Sequence, residues 1–155
     1  MNQNKYIEIE PYIESGNIIY PSFQIPLQPD CMIGIYTDVA KIKPLMEWFL
    51  KQPNCYTCLR ESALYERLTV MEYIQFCLKL YTFPLHNKDE ILKLLTLTEH
   101  KNKKINKLQN GEKQRLKLLH TYLNSAQIQI IEEPFQNLDE FSKHSVQQLL
   151  AALQK

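Results

Sequence analysis

Glycine is scarce in this chain. Only three occur among 155 residues, Gly16, Gly34 and Gly111. An ordinary glycine-rich phosphate loop needs close backbone approach and positive φ, and most of the sequence cannot supply it. Long apolar runs are missing too, since none reaches the roughly 18–20 residues that cross a bilayer. The opening MNQNKYIEIE is polar and then alternating, without the apolar segment of a secretory leader. A charge excess is also lacking. Lys and Arg number 18 against 17 Asp and Glu, which argues against a nucleic-acid binder, because such proteins carry a strong basic surplus. The expectation is a cytoplasmic protein without direct membrane insertion. Its four cysteines (Cys31, Cys55, Cys58, Cys77) are expected as thiols.

What is present is the material of a core. The chain is 45% hydrophobic, and its length suits one domain. Alternation in YIEIE (6–10) predicts a half-buried strand, and NIIYPSFQI (17–25) another, with Pro21 at an edge or bulge. The continuous run CMIGIY (31–36) predicts a strand buried on both faces. KPLMEWFLKQ (43–52) predicts a helix with Pro44 in its first turn, and CYTCL (55–59) a short buried strand.

The pattern then turns helical. TVMEYIQFCLKLY (69–81) carries a 3.6-residue apolar stripe, with Thr69 and Glu72 spaced as a capping box. NKDEILKLLTL (87–97) predicts a helix capped by Asn87. NGEKQRLKLLHTYL (110–123) predicts one capped by Asn110, burying Leu116, Leu119, Tyr122 and Leu123 and turning its polar positions outward. The basic run HKNKKINK (100–107) before it reads as a solvated loop. QIQIIEE (127–133) returns to strand and DEFSKHSVQQLLAALQ (139–154) to helix. This order predicts an α/β fold in which a helical block, about 60–124, is inserted between core segments 1–59 and 125–155.

LQNGEKQRLKLLHTYLNSAQIQIIEEPFQNLDE, residues 108–140, resembles the core of ABC-transporter ATP-binding subunits. In that family a signature of the form L-S-G-G-[EQ]-x-Q-R opens a helix. A Walker B strand ending D-E-P follows, and then a D-loop of the form S-G-L-D. Here the signature stands as Leu108, Gln109, Asn110, Gly111, Glu112, Lys113, Gln114 and Arg115. The Walker B end stands as Glu132, Glu133 and Pro134, and the D-loop as Gln136, Asn137, Leu138 and Asp139. Upstream, ALYERLTVMEYIQFCLKLY (63–81) resembles the segment after the Q-loop, particularly in exporters of the ABC-2 type. The resemblance implies a small mixed sheet of the P-loop NTPase type with an inserted helical subdomain.

The departures from the pattern matter as much as the matches. GIYTDVAKIKPL (34–45) falls where the family has its Walker A loop, G-x-x-x-x-G-K-[ST]. Thr37 and Ile42 stand at its glycines, Lys43 keeps its lysine, and Pro44 replaces the hydroxyl that would hold Mg²⁺. A β-branched Ile42 resists positive φ, and Pro44 removes an N–H donor. The resemblance places Glu132 where it would hold Mg²⁺ through water, and Glu133 as general base. It puts Arg60 near the Q-loop glutamine and Tyr12 at the adenine-stacking position. It makes Gln109, Asn110, Gly111, Glu112 and Asp139 the signature and D-loop contacts. The plainer reading of Glu132 and Glu133 is a polar strand end meeting solvent, and of GEKQR (111–115) a well-formed first helical turn.

Two stretches of the family pattern find no counterpart. One is a set of extra strands between the helix at 43–52 and the strand at 55–59. The other is a strand ending in a switch histidine, for which His144 comes too early. Without the second, which in the family lies between the Walker A and Walker B strands, the strand at 31–36 and that at 127–133 pair directly or the sheet rearranges. The single Cys55-x-x-Cys58 pair lacks two further zinc ligands, and none of His86, His100, His120 and His144 forms a metal-binding pair.

The resemblance therefore implies a degenerate ATP-binding subunit with little or no ATP hydrolysis. It would serve as partner or regulator of a membrane exporter, docking on a permease or a catalytic ABC subunit. Two alternatives stand beside it. One is a minimal ATPase that holds Mg-ATP through Lys43, Glu132 and Glu133. The other is a free-standing homodimeric scaffold.

Overall fold

In the computed structural model of the protein the described residues are 6–27, 31–60, 62–82 and 87–153. They divide into two units, one reaching to Lys51 and the other Gln52–Leu153. His86 lies outside the described residues.

The first unit holds two antiparallel strand pairs and a helix. β1 (Tyr6–Ile9) pairs with β4 (Phe23–Pro26), Ile7 opposite Ile25 and Ile9 opposite Phe23. β2 (Tyr12–Glu14) and β3 (Asn17–Tyr20) form a hairpin. Its turn uses Ser15 at φ 50° and Gly16 at φ 80°, the two left-handed residues that match the twist of paired strands. The single strand expected over 17–25 is thus two, broken after Tyr20 where Pro21 withholds an N–H from the ladder.

The strand expected at 31–36 does not form. These residues join none of the sheets among the described residues, and every one of them is exposed, Tyr36 completely. An apolar run makes a strand only when a neighbouring backbone accepts its hydrogen bonds. Among the described residues no strand pairs with it.

The helix also differs from expectation. α1 spans Val39–Leu50, so Pro44 sits inside it rather than in its first turn. Leu45, Met46 and Phe49 form its buried stripe. Asp38 precedes it without a side-chain cap and pairs with Lys41 at 3.1 Å instead.

The second unit is built around a parallel pair. β5 (Cys55–Cys58) lies beside β6 (Ile128–Ile131), Cys55 opposite Ile128 and Cys58 opposite Ile131. β6 takes β5 as its neighbour, and residues 31–36 form no strand in any of the described sheets. Between the two strands the chain runs through α2 (Val70–Leu80), α3 (Lys88–Leu94), α4 (Asn110–Lys117) and α5 (Leu119–Leu123), and α6 (Glu140–Leu153) follows β6.

α2 begins as its sequence predicts. Thr69 Oγ1 accepts from Glu72 N–H at 3.2 Å, and Glu72 Oε2 accepts from Thr69 N–H at 2.7 Å. Its stripe of Val70, Tyr73, Ile74, Cys77 and Leu78 is at most 1% exposed. The same buried core cluster holds Ile91, Leu92, Leu97, Ile105, Leu116, Leu119 and Val146. Each such side chain contributes about 1.5–3 kcal/mol of burial.

Other helix ends differ. Asn87 stands before α3 but caps nothing, and its Oδ1 is buried without a partner. Gln109, not Asn110, is the residue that caps α4. The helix expected over 110–123 turns at Leu118 into α4 and α5, and Tyr122 is exposed rather than buried. The basic stretch 100–107 exposes most of its lysines but sinks Ile105 fully into the core.

Candidate functional site

Lys43 and Tyr12 belong to the first unit. Lys43 is the fifth residue of α1 and is exposed. In a helix that starts at Val39, the N–H groups from Lys43 onward, Pro44 having none, turn back to carbonyls one turn earlier. Residues 39–44 are thus helix, where the resemblance requires a loop of converging N–H groups. Tyr12 stacks on its cross-strand neighbour Tyr20, ring centroids 5.8 Å apart and planes at 26°. One of its ring faces is committed to the hairpin.

Arg60, Glu132 and Glu133 do come together, at the carboxyl ends of the paired strands. Arg60 N–H donates to Glu132 Oε2 at 2.8 Å, and Arg60 Nη1 meets Glu133 Oε2 at 3.3 Å. Lys117 Nζ fixes the same corner by donating to the Arg60 carbonyl at 2.6 Å. The ladder continues through Glu132 N–H to the Cys58 carbonyl at 3.0 Å. Glu133 then takes φ 43°, in the left-handed region. A non-glycine residue holds that conformation only where its surroundings fix it.

The signature and D-loop residues form a second cluster, between the starts of α4 and α6. Glu112 was expected to face outward but is 8% exposed. Its carboxylate accepts from Gln109 N–H at 2.7 Å and meets His100 Nε2 at 2.7 Å and Lys103 Nζ at 3.5 Å. The basic run thus supplies two partners to the signature glutamate, a role its charge pattern alone did not reveal. Arg115 is 4% exposed, and its Nε donates to the Leu95 carbonyl at 2.9 Å. Burial pulls its guanidinium below its usual value, with Glu112 and Asp139 opposing.

Asp139 accepts from Ser142 N–H at 2.8 Å and from Ser142 Oγ at 3.0 Å, an N-cap for α6. Those bonds hold its carboxyl below the ordinary carboxylate value. Gly111 faces Ser142 so closely that an added Cβ would lie 2.5 Å from Ser142 Cβ. Gln109 and Asn110 are exposed. A cleft of about 600 Å³ opens here, with Lys93, His100, Arg115, Asp139 and Ser142 among its walls.

A third cluster was missed from sequence. His120 of α5 reaches Tyr73 OH through Nε2 at 2.7 Å and Tyr81 OH through Nδ1 at 3.1 Å. Burial lowers its pKa. The available signal was a histidine among the apolar positions of a helix, four residues on from Leu116. The cysteines are free thiols, and burial pushes Cys77 up to about 11. Among the described residues no three acidic, histidine or cysteine side chains converge as metal ligands. No helix among them is long and apolar enough to cross a membrane.

No protein-family model matches the chain. Over 81 residues it is 38% identical to the trehalose/maltose import ATP-binding protein MalK of Thermococcus litoralis, a match spanning 50% of this chain and 22% of that protein. A solved structure named as an ABC transporter ATP-binding protein from Pyrococcus furiosus superposes with a TM-score of 0.53 at 27% identity. That match covers 64% of this chain and 50% of the solved one. The chain therefore corresponds to no more than half the length of either.

Proposed function

Because the chain is related to the ATP-binding proteins of ABC transporters and shares their α/β fold, we propose that it serves as a non-hydrolysing partner or regulatory subunit of a membrane transport complex. The observation that carries this reading is the course of residues 39–50, which are α-helix through Ile42, Lys43 and Pro44. A triphosphate is gripped by a ring of free backbone N–H groups at a loop that leads into a helix. In a helix that starts at Val39 the N–H groups from Lys43 onward are engaged within the helix and Pro44 has none, so the lysine and proline positions offer no free N–H to a phosphate. Such a stretch does not fit a magnesium–triphosphate group. In the second unit Glu132 and Glu133 are bonded to Arg60 rather than directed at open space.

The activity proposed is occupancy of a docking position. Tyr65, Phe76 and Leu80 leave apolar surface beside α2, at 59%, 39% and 60% exposure, and Tyr65 and Phe76 pack edge to face at 5.2 Å. Aromatic surface of this kind suits a protein partner. The likeness of 63–81 to export-type members is what suggests an exporter.

Thermal unfolding with millimolar Mg-ATP tests the proposal. A ligand that binds only the folded state raises the melting temperature by linkage. The expected result is no shift, in the wild type or in Lys43→Ala. A rise of several degrees in the wild type that Lys43→Ala abolishes would instead establish Mg-ATP binding through Lys43, as the minimal-ATPase reading requires.

A further inference from the structure

We propose that Arg60 is a built-in counter-ion that closes the Glu132–Glu133 pair to divalent cations. The inference concerns the Gln52–Leu153 unit alone and holds whatever residues 37–45 do.

Two consecutive carboxylates at the end of a buried strand are the raw material of a cation site, since Mg²⁺ and Mn²⁺ are commonly held by one or two carboxylates with water completing the shell. Here both are committed to one residue. Arg60 gives its backbone N–H to Glu132 and its guanidinium to Glu133. The residue cannot drift away, because Lys117 Nζ anchors its carbonyl at 2.6 Å and it directly follows the β5 strand and Leu59. The guanidinium carries a positive charge. It is tethered, so it competes with a free cation at a high effective concentration. It also repels the dication it would have to yield to. Glu133, at φ 43°, opens a turn that its carbonyl closes with Gln136 N–H at 3.1 Å, and its carboxylate meets the guanidinium.

The side chain of Arg60 is 50% exposed and that of Glu133 is 30% exposed. Ion pairs in that setting add little to folding stability. The arginine can therefore be replaced without loss of the fold, and its effect appears in ion selectivity instead.

Mn²⁺ titration, followed by the loss of the free-ion paramagnetic resonance signal, tests this. Wild-type protein is expected to show no binding that Glu133→Gln removes. Arg60→Gln is expected to bind Mn²⁺ at least tenfold more tightly, and adding Glu133→Gln should abolish the gain. Arg60→Lys keeps the charge and should stay closed. Circular dichroism checks that each variant is folded, and Arg60→Ala replaces Arg60→Gln if the latter is not. Two results would overturn the proposal: Glu133-dependent binding in the wild type, or a folded neutral variant with no gain. Neither depends on ATP, so failure here is separable from failure of the partner-subunit reading.

Discussion

At Gly111 two helices meet with no room for a side chain. The resemblance gives this glycine to the signature and hence to a nucleotide contact, whereas the structure gives it a packing reason. An added Cβ would lie 2.5 Å from Ser142 Cβ, and α4 rests on α6 at this point. Gly111→Ala should therefore destabilise the protein by about 1–3 kcal/mol, the usual cost of overpacking. The Ser142→Gly change in the same chain should recover part of that loss. Urea unfolding of the single and double variants measures both, and a neutral Gly111→Ala would show that the contact is not tight. Sequence reasoning found the residues of this cluster but not their direction. Glu112 and Arg115 look like outward positions of a polar first turn. Glu112 faces inward to His100 and Lys103, and Arg115 to the Leu95 carbonyl, partners from preceding segments that leave no periodic mark.

Among the elements, α2 was the most legible, because its cap, first-turn acid and apolar stripe all lie within its own residues. Strands were less so. β5 and β6 took the expected places, yet the more apolar run at 31–36 made no strand, because a strand depends on a neighbour that its own sequence does not encode. The start of α1 was hidden by Pro44, which sequence rules place in a first turn. The structure has it five residues further into the helix, where it forfeits the bond to the Ala40 carbonyl and crowds the preceding turn. Pro44→Ala should then stabilise the first unit by about 1–3 kcal/mol and increase its helicity, read by circular dichroism and denaturant unfolding. If residues 37–43 were instead a loop entering the helix at Pro44, alanine would be neutral or mildly destabilising.

For the whole molecule, stability against pH is bounded on both sides by titrating groups of the second unit. His120 is held neutral between Tyr73 and Tyr81, its pKa below the ordinary 6.5 because burial penalises the imidazolium. The unfolded chain therefore binds the proton first on acidification. The stability this provides is complete above pH 6.5 and is lost as pH falls toward the folded value. Glu72 and Asp139, lowered by the bonds from Thr69 and Ser142, add a second loss below their ordinary values of 4.5 and 3.8. On the alkaline side Cys77 is pushed from 9.0 up to about 11, mainly by burial, so the unfolded chain ionises first and stability falls as pH rises above 9. Urea midpoints should form a plateau between roughly pH 6.5 and 9 with a decline on each side. His120→Gln should remove the shoulder that begins below pH 6.5 while leaving the decline below pH 4.5 in place, because the caps at Thr69 and Asp139 do not touch His120. A shoulder that survives His120→Gln would assign the acid sensitivity to another group.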